Sequence, residues 1–204
     1  MLNHGLYAIT PSGWAKEKLL KNLKIALEHG VSTVQFREKT LITIEKLDLA
    51  RAVVALCKEY GVPCIINDEP ELVKECGAAG IHVGQNDMAV KEVRNYLGMK
   101  VLIGASCYGD RSLAEKAINE GADYVAFGSI FPSTTKPNAP YIGVQKLQEL
   151  CSGLKKPCVA IGGINSGNVT AVYAAGAHSV AVIAAIFEAN SIELAVKSLL
   201  PKVL

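Results

Sequence analysis

Short runs of β-branched and small apolar residues alternate along the chain with longer stretches in which apolar positions recur at helical spacing. Eight runs read as buried strands: Leu6 to Thr10, Thr33 to Arg37, Cys64 to Asn67, Gly80 to Val83, Val101 to Ala105, Tyr124 to Gly128, Cys158 to Gly162 and Ser179 to Ile183. Between them, stretches such as Glu45 to Tyr60 set Leu47, Leu49, Val53, Val54 and Leu56 among Lys, Asp, Arg and Glu, and Ser112 to Glu120 behaves alike. These predict amphipathic helices, one after each strand. A weak internal echo supports the count. Gly30-Val31-Ser32-Thr33-Val34, Gly77-Ala78-Ala79-Gly80-Ile81, Gly121-Ala122-Asp123-Tyr124-Val125 and Gly176-Ala177-His178-Ser179-Val180 each close a helical stretch and open a strand. Their leading glycines suit helix C′ positions. Strands three and seven are entered instead through Val62-Pro63 and Lys156-Pro157. No Pro/Ser-rich linker or charge block interrupts the series, so residues 1–204 read as a single domain. Eight short parallel strands covered by helices close into a (β/α)8 TIM barrel at the small end of its size range, with an open doubly wound sheet as the structural alternative.

Composition narrows the functional classes. With 50% hydrophobic and 20% charged residues over 204 positions, the chain can bury a full core without disulfides or metals. Its net charge of +2, from 21 Lys+Arg against 19 Asp+Glu, is too balanced for a general grip on nucleic acid. Any anionic ligand must be held by a local cluster. The longest apolar run, Ser179 to Phe187, is far short of the roughly 20 residues of a membrane span, and no export signal is visible at the N-terminus. A cytoplasmic setting is expected. Cys57, Cys64, Cys76, Cys107, Cys151 and Cys158 show no C-x-x-C spacing and read as reduced, mostly buried thiols, and the histidines do not cluster.

In a parallel barrel the chemistry sits at the C-terminal strand ends, and the segments that leave the strands here are unusually polar. Strand two gives Gln35-Phe36-Arg37-Glu38-Lys39, strand three Asn67-Asp68, and strand four His82-Val83-Gly84-Gln85-Asn86-Asp87. Strand five gives Ser106-Cys107-Tyr108, strand six Ser129 and then Pro132-Ser133-Thr134-Thr135-Lys136, and strand seven Gly162-Gly163-Ile164-Asn165-Ser166. Alternation puts Gln35, Arg37 and Lys39 on one side, where a guanidinium fork and an ammonium can meet one polyanion. The plainer alternative pairs Arg37 with Glu38 or Glu69. Asp68 and Asp87 end adjacent strands and suit Mg²⁺ shared with substrate phosphate oxygens, although aspartates at strand ends also serve as turn formers or caps. Gly162-Gly163 with a helix beginning at Ser166 would seat a monophosphate, and the loop from Pro132 to Pro140 would cover a ligand. No lysine lies inside a predicted strand, which argues against a Schiff-base aldolase, and no His/Asp or Cys/His pair suggests a covalent nucleophile. His82 and Cys107 read as packed residues.

These residues resemble the thiamine phosphate synthase (thiamine phosphate pyrophosphorylase) family. The likeness runs from Tyr7 to Phe187 through Gln-Phe-Arg-Glu-Lys, Ile-Ile-Asn-Asp, His-Val-Gly-Gln-Asn-Asp, Phe-Gly-Ser-Ile-Phe-Pro-Ser-Thr-Thr-Lys-Pro and Ala-Ile-Gly-Gly-Ile, in that order. It implies a TIM-barrel transferase that joins 4-amino-5-hydroxymethyl-2-methylpyrimidine diphosphate to a thiazole phosphate and releases pyrophosphate, with carbon dioxide when the thiazole is carboxylated. It also implies Mg²⁺ on Asp68 and Asp87, and small-molecule substrates rather than nucleic acid or membrane partners. A homo-oligomer stays open. The implied contacts to the pyrimidine diphosphate are the Gln35–Lys39 segment, including Phe36 and Glu38, with Asn67 and Ser106. Ser133, Thr134, Thr135 and Lys136 match the loop touching the thiazole phosphate and the diphosphate; Gly163, Ile183 and Ala184 match the thiazole phosphate seat. Arg37, Lys39, Ser106 and Lys136 would carry catalysis by stabilising the departing pyrophosphate. Ser133 and Ala184 stand where the family often has threonine and serine, Pro11-Ser12 replaces an acidic residue after strand one, and Asn86 replaces a carboxylate beside Asp87. A thiazole tautomerase on the same barrel, or a phosphate-binding barrel without turnover, are the rival readings.

Overall fold

The computed structural model describes residues 2–132 and 141–201. Its strands and helices are β1 (Gly5–Ile9), α1 (Lys16–Glu28), β2 (Val31–Phe36), α2 (Thr43–Glu59), β3 (Cys64–Asn67), α3 (Pro70–Cys76), β4 (Gly80–Val83) and α4 (Val90–Leu97). The second half continues with β5 (Leu102–Tyr108), α5 (Arg111–Asn119), β6 (Tyr124–Phe127), α6 (Gly143–Cys151), β7 (Cys158–Ile161), α7 (Val169–Ala174), β8 (Ser179–Val182), α8 (Ala184–Phe187) and α9 (Ile192–Leu199). All eight strands pair in parallel in chain order, and β1 closes on β8. The sheet is therefore a closed (β/α)8 barrel and not a doubly wound sheet. The expected strands match to within a few residues, β5 running on through Tyr108.

Strand alternation divides the core into two. Leu6, Ala8, Val34, Phe36, Ile66, Ile81, Val83, Ile103, Val125, Phe127, Ala160 and Val180 face outward, against helix residues such as Leu19, Leu23, Val53, Val54, Val93 and Leu147. The residues between them, Tyr7, Ile9, Ile65, Tyr124, Ala126, Val159 and Ala181, form a separate cluster inside the barrel. The four echo glycines, Gly30, Gly77, Gly121 and Gly176, all have positive φ, as the helix-end reading requires.

The N-terminal face of the barrel is latched by polar groups away from the strand ends that carry chemistry. Arg94 on α4 donates to the carbonyls of Gly98 (2.8 Å), Val101 (2.7 Å) and Gly121 (2.8 Å) and to Asp123 Oδ2 (2.6 Å). Asp123 also accepts from the Ile103 amide at 2.9 Å, so one ion pair ties α4 to the entries of β5 and β6. Cys57, Cys64, Cys76 and Cys107 are buried and unpaired as expected. Cys151 and Cys158 depart from that expectation and form a disulfide, because the short turn from α6 into β7 brings their Cα atoms to 6.1 Å.

Candidate active site

The end of β2 is held by the end of β1. The Arg37 amide donates to Thr10 Oγ1 (2.9 Å), and the Arg37 carbonyl accepts from Ser12 Oγ (3.1 Å) and Thr10 Oγ1 (3.3 Å). This fixes the backbone from which the guanidinium projects. Pairing of Arg37 with Glu38 or Glu69 is not what forms. Glu38, only 5% exposed, accepts from the Gly13 amide (2.8 Å), the Thr40 amide (2.6 Å) and Thr40 Oγ1 (2.6 Å). Glu69 pairs with Lys46 at 2.8 Å. Among the described residues no carboxylate lies within ion-pair distance of Arg37. Burial alone would raise the Glu38 carboxyl, but its hydrogen bonds from Thr40, Gly13 and Leu41 outweigh burial and hold it below the ordinary carboxylate range. The side chains of two members of the implied binding segment face away from the mouth, so that only their backbone is left to meet a ligand: Glu38 is turned onto the loop backbone, and Phe36 packs outward against the helices because alternation assigns it to that face.

Asp68 and Asp87 meet at the ends of β3 and β4. Asp68 has φ +65, a left-handed conformation that Asp adopts more readily than most residues. Its amide donates to the His82 carbonyl at 2.9 Å, and its carboxylate receives Asn67 Nδ2 at 2.6 Å and lies 3.5 Å from Lys39 Nζ. Burial and then the hydrogen-bonded, like-charged Asp87 raise the Asp68 carboxyl, against the pull of Lys39 and Asn67. Asp87 Oδ2 is tied in turn to the Gly84 amide at 2.7 Å. Two hard oxygen donors pressed together at a like-charge cost fit a divalent cation such as Mg²⁺, which takes one or two carboxylates and completes its shell with water and phosphate oxygens. Among the described residues no group of three or more His, Cys, Asp or Glu side chains forms a fuller cage.

The inner wall below this rim is polar. Gln35 is buried and its Nε2 donates to Tyr7 Oη at 3.1 Å; Tyr7 Oη lies 2.9 Å from Tyr124 Oη. His82 Nδ1 lies 3.2 Å from Tyr124 Oη, and its Nε2 lies 2.9 Å from Ser106 Oγ. Burial lowers the His82 imidazole to about 4, partly opposed by Asp87, so the ring is neutral near pH 7. His82 is thus packed and hydrogen-bonded, as read from the sequence. Cys107 is likewise structural: burial pushes its thiol up to about 12.

On the far side of the mouth, Gly163 has φ +65, and a Cβ there would strike the Pro132 carbonyl, so only glycine fits between β7 and the turn after β6. The helix expected at Ser166 begins at Val169 instead. Asn165 and Asn168 form the intervening turn: Asn168 Oδ1 accepts from the Asn165 amide (2.8 Å), Asn165 Oδ1 accepts from the Gly167 amide (2.8 Å), and Asn168 Nδ2 donates to the Gly163 carbonyl (3.0 Å). Asn168 carries no signal in the sequence beyond that of a helix cap. Ile183 and Ala184 open the first turn of α8, directly after β8. Ser133, Thr134, Thr135 and Lys136 lie outside the described residues. A surface depression of about 700 Å³ lies between α4 and α5, lined by Lys91, Glu115 and Lys116; it is on the outer helical face and shares no residue with the strand ends.

A family model described as thiamine monophosphate synthase matches residues 6–186. The chain is 41% identical over 195 residues to the thiamine-phosphate synthase of Thiobacillus denitrificans, covering 96% of this chain and 92% of that protein. It is 42% identical to a rice protein described as a probable thiamine biosynthetic bifunctional enzyme, over 92% of this chain and 35% of that longer protein. The solved thiamine phosphate pyrophosphorylase of Pyrococcus furiosus superposes with a TM-score of 0.85 at 31% identity, over 97% of this chain and 93% of that one.

Proposed function

The chain belongs to the thiamine monophosphate synthase family, enzymes that make thiamine phosphate, and we propose how its strand ends divide that reaction. The pyrimidine diphosphate lies over β2 to β5. Arg37 and Lys39 hold the leaving diphosphate, Asn67 orients it, and Ser106 donates a hydrogen bond from the inner wall. Gln35 faces the pyrimidine ring. Asp68 and Asp87 hold Mg²⁺, which when bound neutralises charge developing on the leaving pyrophosphate. The thiazole phosphate sits across the mouth, its phosphate on the backbone of Gly163, Ile183 and Ala184, and Ser133, Thr134, Thr135 and Lys136 are assigned contacts to the thiazole phosphate and the diphosphate.

Bond breaking precedes bond making in this reading. The C–O bond to the diphosphate breaks with its electron pair leaving on pyrophosphate, and the pyrimidine ring stabilises the resulting methylene cation. The thiazole nitrogen then supplies the electron pair of the new C–N bond, and a carboxylated thiazole loses its carboxylate as CO₂, a proton taking its place on the ring carbon. No strong general base is needed, which suits a site whose imidazole is buried and neutral. Preorganised positive charge is the main contribution, each donor being worth on the order of 10²–10³ in rate. A cytoplasmic setting goes with this chemistry, and among the described residues no helix is long and apolar enough to cross a membrane.

The observation that carries the reading is an Arg37 guanidinium with no carboxylate partner among the described residues, two positions before Lys39, together with the crowded Asp68–Asp87 pair on adjacent strand ends. A tautomerase acting on the thiazole alone has no use for that diphosphate machinery. The test mixes protein, pyrimidine diphosphate, carboxythiazole phosphate and Mg²⁺, and follows thiamine phosphate by its oxidation to fluorescent thiochrome, with EDTA and no-enzyme controls. Metal-dependent product is expected. Folded protein that binds the thiazole phosphate without forming product would return the reading to the tautomerase or to a barrel without turnover.

A further inference from the structure

Gln35, Tyr7, Tyr124, His82 and Ser106 come from five different strands, yet their polar atoms form one unbranched chain across the barrel, with links of 3.1, 2.9, 3.2 and 2.9 Å. Among the described residues no carboxylate, ammonium or guanidinium hydrogen-bonds to any of the three middle side chains. Both ends are residues assigned above to the pyrimidine diphosphate. The chain exists because of a glycine: His82, Gly104 and Tyr124 are in register across β4, β5 and β6, and a Cβ on Gly104 would overlap the Tyr124 ring. With that side chain missing, the tyrosine ring crosses a whole strand to reach the imidazole, the two ring centroids lying 5.6 Å apart.

Each hydroxyl has one proton to give, and Tyr7 and Tyr124 are buried with no other acceptor for it among the described residues, so spending both protons within the chain makes the direction of one link set all the others. An amide nitrogen can only donate. With Gln35 Nε2 donating to Tyr7, the Tyr7 proton goes to Tyr124, the Tyr124 proton goes to His82 Nδ1, and the neutral imidazole carries its proton on Nε2. That proton is given to Ser106 Oγ, and the Ser106 proton is left unspent. The opposite polarity would spend the Ser106 proton inside the barrel and leave that hydroxyl only lone pairs to offer a substrate rich in anionic oxygens.

We propose that these five side chains are a one-way hydrogen-bond relay that holds His82 as the Nε2–H tautomer, so that Ser106 must donate outward to the diphosphate and the Gln35 carbonyl stays free to accept from an amino group on the pyrimidine. The proposal rests on the synthase reading of the mouth. Tyr7, Tyr124 and His82 are positioning residues, and Gly104 is the vacancy that lets them meet.

The polarity can be read without substrate, by long-range ¹H–¹⁵N spectra of protein labelled with ¹⁵N-histidine, with the His82 signals assigned from His82→Gln. Wild type is expected to show the Nε2–H pattern, and Tyr124→Phe, which cannot donate to Nδ1, to shift His82 toward a tautomer mixture. In the coupling assay Tyr124→Phe is expected to lower kcat/KM for the pyrimidine diphosphate about tenfold, the scale of one lost hydrogen bond. KM for the thiazole phosphate should change less than about twofold. Because Tyr124 acts through Ser106, Tyr124→Phe should add nothing to the loss in Ser106→Ala. Tyr7→Phe leaves Tyr124 its link to Nδ1 but removes the donor that fixes that link's direction, so a smaller shift toward the tautomer mixture is expected and tests the polarity if Tyr124→Phe does not fold. An Nδ1–H pattern in wild type, or losses from Tyr124→Phe and Ser106→Ala that multiply, would overturn the relay. Inactive wild type with an Nε2–H imidazole would instead overturn the synthase reading and leave the relay standing.

Discussion

Glu38→Gln removes one charge from the segment that carries Arg37 and Lys39 while keeping the side chain's shape. The wild-type carboxylate accepts three hydrogen bonds, one oxygen serving the Gly13 amide and the other serving both the amide and the hydroxyl of Thr40. Glutamine has one acceptor oxygen, so in either orientation its NH₂ group faces a donor. The variant loses one or two charge-assisted bonds, each about 1.5–3 kcal/mol, and leaves a partly buried N–H without a partner. Allowing for relaxation of the exposed Thr40 side, the net cost is about 2–4 kcal/mol. Urea unfolding at pH 7 measures it directly. The same loop positions Lys39, so KM for the pyrimidine diphosphate should rise several-fold while KM for the thiazole phosphate stays put. The pH dependence has a definite sign. Glu38 is held below its ordinary value of 4.5, so its contribution is fully present above about pH 4.5 and is lost as the pH falls through the lower folded value. Wild type and variant should therefore converge in stability on acidification. A variant within about 0.5 kcal/mol of wild type, with both KM values unchanged, would refute the role given to this carboxylate.

Asp68→Asn is expected to cut turnover on the order of 10²-fold and to raise the Mg²⁺ concentration needed for half-maximal rate. Asparagine tolerates the left-handed backbone, so unfolding should show no loss of stability; an unaltered Mg²⁺ titration would remove Asp68 from the metal site. His82 titrates near 4 when folded against 6.5 when exposed, so the native state loses up to about 3 kcal/mol as pH falls from 6.5 to 4. Urea midpoints across that range should slope in wild type and flatten in His82→Gln, and parallel slopes would show that the imidazole is not the buried neutral group. Thr33→Val should stabilise the fold by about 1 kcal/mol, because the Thr33 hydroxyl is fully buried and has no hydrogen-bond partner among the described residues. A midpoint below wild type would mean that this hydroxyl has a bound partner such as water.

The fold was legible because parallel strands buried on both faces write themselves as short apolar runs, and because positive-φ glycines mark where helices stop. Arg37, Asp68 and Asp87 were legible as types of chemistry at strand ends. What alternation could not decide was where a side chain goes once the strand has ended. Glu38 and Lys39 are neighbours, yet one turns down onto Gly13 and the other lies 3.5 Å from Asp68, a choice made by backbone amides that no residue pattern displays. Ser166 fails as a helix start for a related reason: the Asn168 side chain accepts from the Asn165 amide, the Asn165 side chain accepts from the Gly167 amide, and this turn carries the chain on to Val169. The relay is hidden in the sequence because Tyr7 and Tyr124 read as ordinary apolar strand positions. Two tyrosines at inward positions, beside Ile9 on β1 and Ala126 on β6, were the available signal, with Gly104 in mid-strand as its companion.

The barrel interior is divided by height, and the division explains how a polar chain survives in a closed core. A buried hydroxyl or imidazole destabilises the fold unless its hydrogen bonds are made, and in the relay each link satisfies the group before it and the group after it. The three middle members therefore need no water and no charge, and a ligand is required only at the two ends, Gln35 and Ser106. The rest of the inner cluster, Leu2, Ile65 and Val159 among it, is apolar, and the face opposite the mouth is latched by Arg94 and Asp123. Substitutions at that lower end act on folding alone. Substitutions in the relay act on folding and on the direction of a single proton at the substrate, so the measure of a relay residue is the gap between its effect on stability and its effect on kcat/KM for the pyrimidine diphosphate.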